Sequence, residues 1–245
     1  MKKTLSIILA AMILPLAVNA QDLKVISYNI RNSQANDGTN SWLYRYAASA
    51  EMIKDQQADV IGLQEALDDQ VTFIEQNFKE YKPVGKTAVI MWNKKTVSVQ
   101  KSGDSDVASW ALVRHKKTGG RFYIVNADLE DTPATERKDA VGKLLEMVAE
   151  INKDNLPVVM TGGFYMKPAD PGLAELESKM VNARKTAAKT DNTGTYNNWG
   201  KNSDIIDHIY HSGFSECAEF ETIVRQYKDV LYISDHYPIV SRLVF

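Results

Sequence analysis

Five polar residues stand where short apolar runs end, and their types suit hydrolytic chemistry. Asn29 comes late in Ser27-Tyr28-Asn29-Ile30-Arg31, and Glu65 ends Ile61-Gly62-Leu63-Gln64-Glu65. Asp207 sits in Ile205-Ile206-Asp207-His208-Ile209, and Asp235 and His236 stand side by side in Ser234-Asp235-His236-Tyr237-Pro238. Polar groups gathered at strand ends are how a rigid sheet presents a site. Glu65 and Asp235 are hard oxygen donors of the kind that Mg²⁺ or Ca²⁺ takes. His236 with Asp207 would make an imidazole whose tautomer is fixed by a carboxylate, as proton transfer requires. Taken singly, these residues have plainer readings. A carboxylate after a buried strand commonly caps a helix or forms a turn, and Ser-Asp-His makes a hydrogen-bonded loop.

Other chemistry-bearing residues point to less. His208 and His211 are three apart, which on a strand puts them on opposite faces, so they do not read as a zinc pair. Cys217 is the only cysteine, so no internal disulfide can form. No histidine-containing motif surrounds it, and it reads as a small packed residue. No Gly-rich phosphate loop stands between a strand and a helix.

The elements that must position these residues alternate between strand and helix. Leu23 to Ile30 reads as a first strand. Ser41 is placed to cap a helix whose apolar positions Leu43, Tyr46, Ala47, Ala50 and Ile53 line one face. Asp59 to Leu63 reads as a short buried strand, and Val71, Ile74 and Phe78 mark a second helix. Val84 to Trp92, Val97 to Gln100, Ser109 to His115 and Arg121 to Ala127 read as consecutive strands in an antiparallel meander, with Gly119-Gly120 as a turn. A long helix is expected over Thr135 to Asn152, buried through Val141, Leu144, Leu145, Val148 and Ile151. Pro157 to Thr161 is another buried strand, with Pro157 where a missing N–H is tolerated. Short strands follow near Asp204 to Tyr210, Ala218 to Arg225 and Pro238 to Phe245. This order predicts a layered α/β protein.

Residues 1–20 read as a secretory leader. Lys2 and Lys3 precede an apolar run from Leu5 to about Leu16, and Val18-Asn19-Ala20 offers a small-residue cleavage site. The run is short for a membrane span. Cleavage after Ala20 leaves 21–245 as one domain, exported to the periplasm or beyond, with no spanning segment. The chain of 245 residues carries a net charge of −2, and loss of the two lysines takes it to −4. That balance disfavours long nucleic acids, which are bound by neutralising phosphates. No basic amphipathic helix suggests a membrane surface.

In order along the chain, these motifs resemble those of the endonuclease/exonuclease/phosphatase superfamily, the deoxyribonuclease I-like fold. Ser27 to Arg31 resembles its opening strand, and Asp59 to Glu65 is similar to its early motif. Thr195-Tyr196-Asn197-Asn198-Trp199-Gly200 with Ile206 to Ile209 resembles its late pair, and Ser234 to Pro238 its closing signature. The resemblance implies a four-layer α/β sandwich, two packed mixed sheets flanked by helices. It implies a divalent cation, Mg²⁺ or else Mn²⁺ or Ca²⁺, and phosphoester hydrolysis by an in-line water. It places metal binding on Glu65 and Asp235, support of metal and phosphate on Asn29, and action on water or phosphate on His236, oriented by Asp207.

Three positions depart from the family pattern. Where the family has Asn-Thr-His-Leu, this chain has Asn126-Ala127-Asp128-Leu129. Where it has Gly-Asp-Phe-Asn, this chain has Gly162-Gly163-Phe164-Tyr165. Gly163 can neither orient a water nor take a proton, Tyr165 is bulky enough to fill a phosphate pocket, and Asp128 puts an anion where a cation could stand. Losing an acid–base group costs about 10²–10⁴ in rate. Three readings follow: a metal-dependent phosphoesterase with a rearranged site and Asp128 as a further metal ligand, a catalytically silent relative that binds a ligand or partner, and a structural exported domain. The ligands in view are small phosphate esters and lipid head groups.

Overall fold

The computed structural model describes residues 22–130 and 132–245; the expected leader lies outside them. Strand β1 (Asp22–Asn29) is followed by helix α1 (Trp42–Gln56), which crosses to β2 (Val60–Gln64), parallel to β1. Helix α2 (Asp68–Asn77) leads into a hairpin of β3 (Tyr81–Val84) and β4 (Ile90–Asn93), which pairs antiparallel with β2. Then β5 (Val97–Asp104), β6 (Ala108–His115) and β7 (Arg121–Asp128) form an antiparallel meander. Helix α3 (Arg137–Ile151) crosses to β8 (Val158–Gly163), parallel to β7. Short elements α4 (Ala174–Lys179), β9 (Val181–Asn182) and α5 (Ala183–Thr186) precede β10 (Asp207–Ser212), antiparallel to β8. The chain returns through β11 (Glu216–Thr222) and β12 (Ile239–Val244), which lies antiparallel to β1.

Two six-stranded mixed sheets result, ordered β11-β12-β1-β2-β4-β3 and β5-β6-β7-β8-β10-β9. Period-two alternation sends one set of side chains between them, including Val25, Val60, Ile90, Val113, Phe122, Ile124, Val159 and Leu243. The opposite faces are covered by helices. Ile26, Tyr28 and Ile61 pack against Ala48, Met52 and Ile53 of α1 and Ile74 of α2. Val125, Val158 and Met160 pack against Val141 and Leu144 of α3 and Leu176 of α4. This is the expected four-layer sandwich. Among the described residues no helix is long and apolar enough to cross a membrane.

Four expectations about elements are corrected. Of the Leu43 to Ile53 stripe, helix α1 fully buries only Ile53. Leu43 is 70 % and Tyr46 41 % exposed, while Arg45, Ala48, Ser49, Met52, Ile53 and Gln56 face inward. The helix is rotated because Arg45 is buried, its guanidinium satisfied by carbonyl groups. Ser41 stands at the cap position, but its side chain makes no capping bond. The expected Val84 to Trp92 strand is two strands. Gly85 has φ +85°, and the following loop is pinned by Ser109 Oγ, which accepts from the N–H groups of Lys86 and Ala88 at 3.1 Å each. The meander is also divided, with β3 and β4 in one sheet and β5 to β7 in the other. The short α4, β9 and α5 carry too little periodicity to be read in advance.

The sheets are joined by a buried polar network as well as by apolar packing. Asn126 Oδ1 accepts from Gln64 Nε2 at 2.6 Å and from Thr161 Oγ1 at 2.9 Å. Asn126 Nδ2 donates to the carbonyls of Leu63 at 2.9 Å and Val89 at 3.0 Å. Gln64 Nε2 also reaches Ser27 Oγ at 3.1 Å. Gly62 makes room for this: a Cβ there would lie 2.3 Å from Thr161 Oγ1 and 2.5 Å from Asn126 Oδ1. Asn126→Ala strands several buried donors and acceptors, each costing about 1–3 kcal/mol when unpaired. The expected loss is about 3 kcal/mol in urea unfolding; a loss below about 0.5 kcal/mol, the size of an ordinary surface change, would show that apolar packing alone holds the sheets together.

His208 and His211 do lie on opposite faces of β10. His208 Nε2 donates to the Met166 carbonyl at 2.8 Å beside Phe164 and Tyr210. His211 is buried near Phe214 with both ring nitrogens unpartnered. Burial lowers the His211 pKa below its ordinary 6.5. The folded state therefore favours the neutral ring, so this contribution is complete above pH 6.5 and is lost as pH falls below it. Urea midpoints measured from pH 7.5 down to 5 should drop less for His211→Leu than for the parent chain; parallel curves would show that His211 does not titrate with unfolding.

Candidate active site

The topology gathers the motif residues at one end of the sandwich. Because β1 and β2 are parallel, Asn29 and Gln64 are register partners, and Glu65 follows directly. Because β7 and β8 are parallel, Asp128 is level with Gly163. Antiparallel β10 begins at this end with Asp207 opposite Gly163. The residues before β12, Asp235 and His236, enter at the same end. The chain turns sharply away from these strand ends, with Arg31, Glu65 and Tyr165 in the left-handed region at φ 56°, 58° and 54°. Three left-handed non-glycine residues thus stand beside the polar groups.

Two devices fix the loops. Arg45 donates to the carbonyls of Asn40 at 2.6 Å, Ile30 at 2.9 Å, Ile233 at 2.7 Å and Arg31 at 3.3 Å. Its guanidinium lies 5.5 Å from the Trp42 ring and 5.4 Å from the Trp199 ring. It therefore ties the segment after β1 to the segment before His236. The second device is the Thr195 to Gly200 segment. Thr195 Oγ1 accepts from the N–H groups of Ile206 and Asp207 at 3.1 Å each. The Asn197 and Asn198 N–H groups donate to the Asp235 carbonyl at 2.8 and 3.0 Å, and the Tyr237 N–H to the Thr195 carbonyl at 2.7 Å. This clamp sets Asp207 against His236. His236 Nδ1 donates to Asp207 Oδ2 at 2.8 Å, and the Tyr196 ring packs over the imidazole at 4.8 Å. Burial works against a charged ring here, but the Asp207 charge and hydrogen bond, helped by Asp235 and Glu65, raise the His236 pKa to about 9.

Glu65 is surrounded by donors. Its Oε1 accepts from Asn29 Nδ2 at 2.8 Å and from the Tyr165 hydroxyl at 3.3 Å. Its Oε2 faces Arg31 Nη1 at 3.5 Å and the backbone and side-chain N–H groups of Asn32 at 3.4 Å each. Arg31 Nε lies 3.1 Å from Asp37 and 3.7 Å from Asp235 Oδ2. The guanidinium therefore stands between Glu65 and Asp235, the two expected metal ligands. The donor chemistry of those carboxylates suits a hard cation, but the Glu65 oxygens are met by N–H and O–H groups of Asn29, Tyr165, Arg31 and Asn32, with the Glu130 carboxyl beside them. Among the described residues no three His, Cys, Asp or Glu are disposed to hold a metal ion. As arranged, the Arg31 guanidinium bridges the two carboxylates that a divalent cation would join.

The three departures have definite places. Asp128 is not aimed at a cation. Its Oδ2 accepts from the Glu65 N–H at 2.9 Å and its Oδ1 from the Glu130 N–H at 3.2 Å, so it staples β7 to the turn after β2. Burial pushes its pKa up to about 6. Gly163 leaves the space beside Asp207 to the Tyr165 ring: a Cβ on Gly163 would meet that ring at 3.1 Å and Asp207 Oδ1 at 3.6 Å. The Tyr165 hydroxyl accepts from Asn29 Nδ2 at 3.1 Å. Arg137 holds Tyr165 from behind, donating to its carbonyl at 2.8 Å and lying 5.4 Å from its ring.

Sequence reasoning brought Asn29, Glu65, Asp207, Asp235 and His236 to one site but missed Arg45, Tyr196, Arg137 and Glu130. Glu130 borders both cavities of the site end, one of about 400 Å³ lined also by Arg31, Tyr165, Trp199 and His236, and one of about 730 Å³ reaching Lys86 and Asp106. Partial burial and the nearby Glu65 and Asp128 carboxylates raise its pKa to about 7. An acid two residues after Asp128 was the signal available for it.

This fold and this strand-end set of carboxylates, amide and imidazole define a phosphoesterase-type α/β sandwich. The chain belongs to the endonuclease/exonuclease/phosphatase family, whose model matches residues 26–236. A family protein from Bacteroides thetaiotaomicron superposes with TM-score 0.84 at 22 % identity, covering 92 % of this chain and 98 % of that one. A mannosyl-6-phosphatase from the same organism gives 0.83 at 23 %, covering 91 % and 100 %. A family protein from Bacteroides vulgatus gives 0.81 at 25 %, covering 91 % and 98 %. No curated protein matches the chain.

The His236–Asp207 pair gives a direct test. The imidazole Cε1 proton followed by NMR should titrate with a midpoint near pH 9, and Asp207→Asn should bring that midpoint down by one unit or more, about 1.4 kcal/mol per unit. A midpoint near 6.5, the ordinary value, would mean that the pair does not stabilise the charged ring.

Proposed function

We propose that this chain is an exported, catalytically silent relative of the phosphoester hydrolases that acts by binding. The observation that carries the reading is at Gly163, where the Tyr165 ring occupies the space beside Asp207. Three carboxylates that could act on a water are committed elsewhere, which leaves Glu130 at the edge of both cavities. Asp207 is committed to His236, Asp128 to two backbone N–H groups, and Glu65 to Asn29, Tyr165, Arg31 and Asn32. Export rests on the Lys2-Lys3, apolar-run and Ala20 pattern. The ligand class is a small phosphate ester or a lipid head group, supported by the retained cationic His236 and by the phosphatase among the structural neighbours. The competing reading, a hydrolase with a rearranged site, draws on the intact His236–Asp207 pair.

Hydrolysis of p-nitrophenyl phosphate and bis-p-nitrophenyl phosphate with Mg²⁺, Mn²⁺ and Ca²⁺ separates the two. Turnover should not exceed that of Glu65→Ala. The combined Asp128→His, Gly163→Asp, Tyr165→Asn variant should gain about 10²-fold or more, the scale of a restored acid–base group. Asp at 163 needs Asn at 165 because the present ring meets a Cβ there. Metal-dependent turnover by the unmodified chain, abolished by Glu65→Ala, would establish the hydrolase instead.

A further inference from the structure

We propose that Trp199 is the residue that selects the ligand of the His236 cavity, and that this ligand is a phosphorylated sugar. The inference rests on the reading of the site as one for small phosphate esters, and it names their class. Trp199 and Tyr196 line the cavity of about 400 Å³ together with Arg31 and His236, a volume ordinary for a small-molecule site. His236 is buried and uses Nδ1 on Asp207. Its Nε2 has no partner among the described residues, so one polar ring atom at the cavity wall is left for a ligand. With Arg31, whose side chain is 26 % exposed, it can hold a phosphate. The organic part of an ester held there meets the aromatic part of the same wall. Trp199 is held ready for it. Asn198, Trp199 and Gly200 take three successive left-handed conformations, φ 43°, 57° and 86°. Asn and Gly enter that region readily and Trp does not.

The strained segment is fixed from several sides. Asn197 Oδ1 accepts from the Trp199 N–H at 2.9 Å, and Asn197 Nδ2 donates to the Ser234 carbonyl at 3.1 Å. The Arg45 guanidinium lies 5.4 Å from the indole, and Gly200 leaves no room for a Cβ beside the Tyr232 hydroxyl. A costly conformation that its surroundings impose at a cavity wall marks a residue set in place for recognition. The chemistry of the wall then narrows the ligand. An indole takes up groups with a flat apolar face, which glycerol and ethanolamine phosphates lack. A quaternary ammonium is also drawn to an aromatic ring, but a second cation at Trp199 would meet the Arg45 charge. Asp37, Glu130 and Asn198 on the same wall offer acceptor oxygens. A sugar ring suits both, with a C–H face for the indole and hydroxyl donors for the acceptors.

Calorimetric titrations of the full chain with glucose 6-phosphate, mannose 6-phosphate, glycerol 3-phosphate, phosphocholine, uridine monophosphate and inorganic phosphate test this. At least one hexose phosphate should bind about 10-fold or more tightly than glycerol 3-phosphate or inorganic phosphate, the scale of one good aromatic contact. Trp199→Ala should bring that hexose phosphate down to the level of inorganic phosphate, and Trp199→Phe, which keeps an aromatic ring, should restore most of the margin. Equal affinity of the parent for the hexose phosphates, glycerol 3-phosphate and inorganic phosphate would overturn this inference and leave the binding reading standing. Tighter binding of phosphocholine or uridine monophosphate would do the same. No binding of any of the six would sink both. Metal-dependent hydrolysis of a hexose phosphate by the parent, with KM raised by Trp199→Ala at unchanged kcat, would sink the silent reading and support the role given to Trp199.

Discussion

The site depends on the polar network that Asn126 makes between the two sheets. Apolar side chains press the sheets together but do not fix how far one slides on the other, since dispersion contacts are weak singly and undirected. Hydrogen bonds inside the sandwich are directional and costly to break. Asn126 joins Gln64 and the Leu63 carbonyl of one sheet to Thr161 of the other. One residue beyond Gln64 is Glu65, and two beyond Asn126 and Thr161 are Asp128 and Gly163. Fixing the network thus fixes the height at which carboxylates from different sheets meet. The Glu65 N–H reaches Asp128 at 2.9 Å because the strands beneath them cannot shift.

That network explains how much of the molecule could be read from the sequence. Alternation and helix periodicity gave the order of the long elements, and Glu65, Asp207, Asp235 and His236 were visible because polar residues after apolar runs are rare and informative. Gly62 and Gln64 stood in a quoted motif, yet nothing local shows that Gly62 is small to admit Thr161 and Asn126. Arg45 was opaque for the same reason. On a helix it reads as a surface cation, and only the meeting of four carbonyls from distant segments makes it a buried hub, which then turns the helix away from its Leu43 stripe. Gly85 hides a break inside an apolar run because the loop is held by Ser109, more than twenty residues later. Short-range pattern records what a segment prefers, and these positions are set by partners far along the chain.

The departures at 128, 163 and 165 behave as one change. Without a side chain at 163, the Tyr165 ring has room; with the ring present, a side chain at 163 would be crowded. Tyr165 then satisfies Asn29 and Glu65, and Asp128 turns its carboxylate to backbone N–H groups. Glu65, Asp128 and Asn29 are thus each given fixed partners. Active sites commonly hold strained or unsatisfied groups at the expense of stability. Here Glu65, Asp128 and Asn29 are satisfied, and the left-handed Tyr165 is held by Arg137.

Charge leads to the same view. Asp37, Glu65, Asp128, Glu130, Asp207 and Asp235 crowd this end of the sandwich, with Arg31, Arg45 and His236 as nearby cations. Carboxylates this close in a poorly hydrated cleft cannot all remain ionised without compensation. The protein compensates in place: Arg31 stands between Glu65, Asp37 and Asp235, His236 takes up a proton beside Asp207, and burial raises the pKa of Asp128 and Asp235 while Glu130 is raised also by its neighbours. A hydrolytic site keeps its negative charge open to an incoming cation, which then attracts an anionic ester. Here Arg31 already stands on three of those carboxylates and His236 on a fourth, so the remaining negative charge is only part of what the residue types would provide, and Arg31, His236, Tyr196 and Trp199 are cationic and aromatic groups that line the cleft.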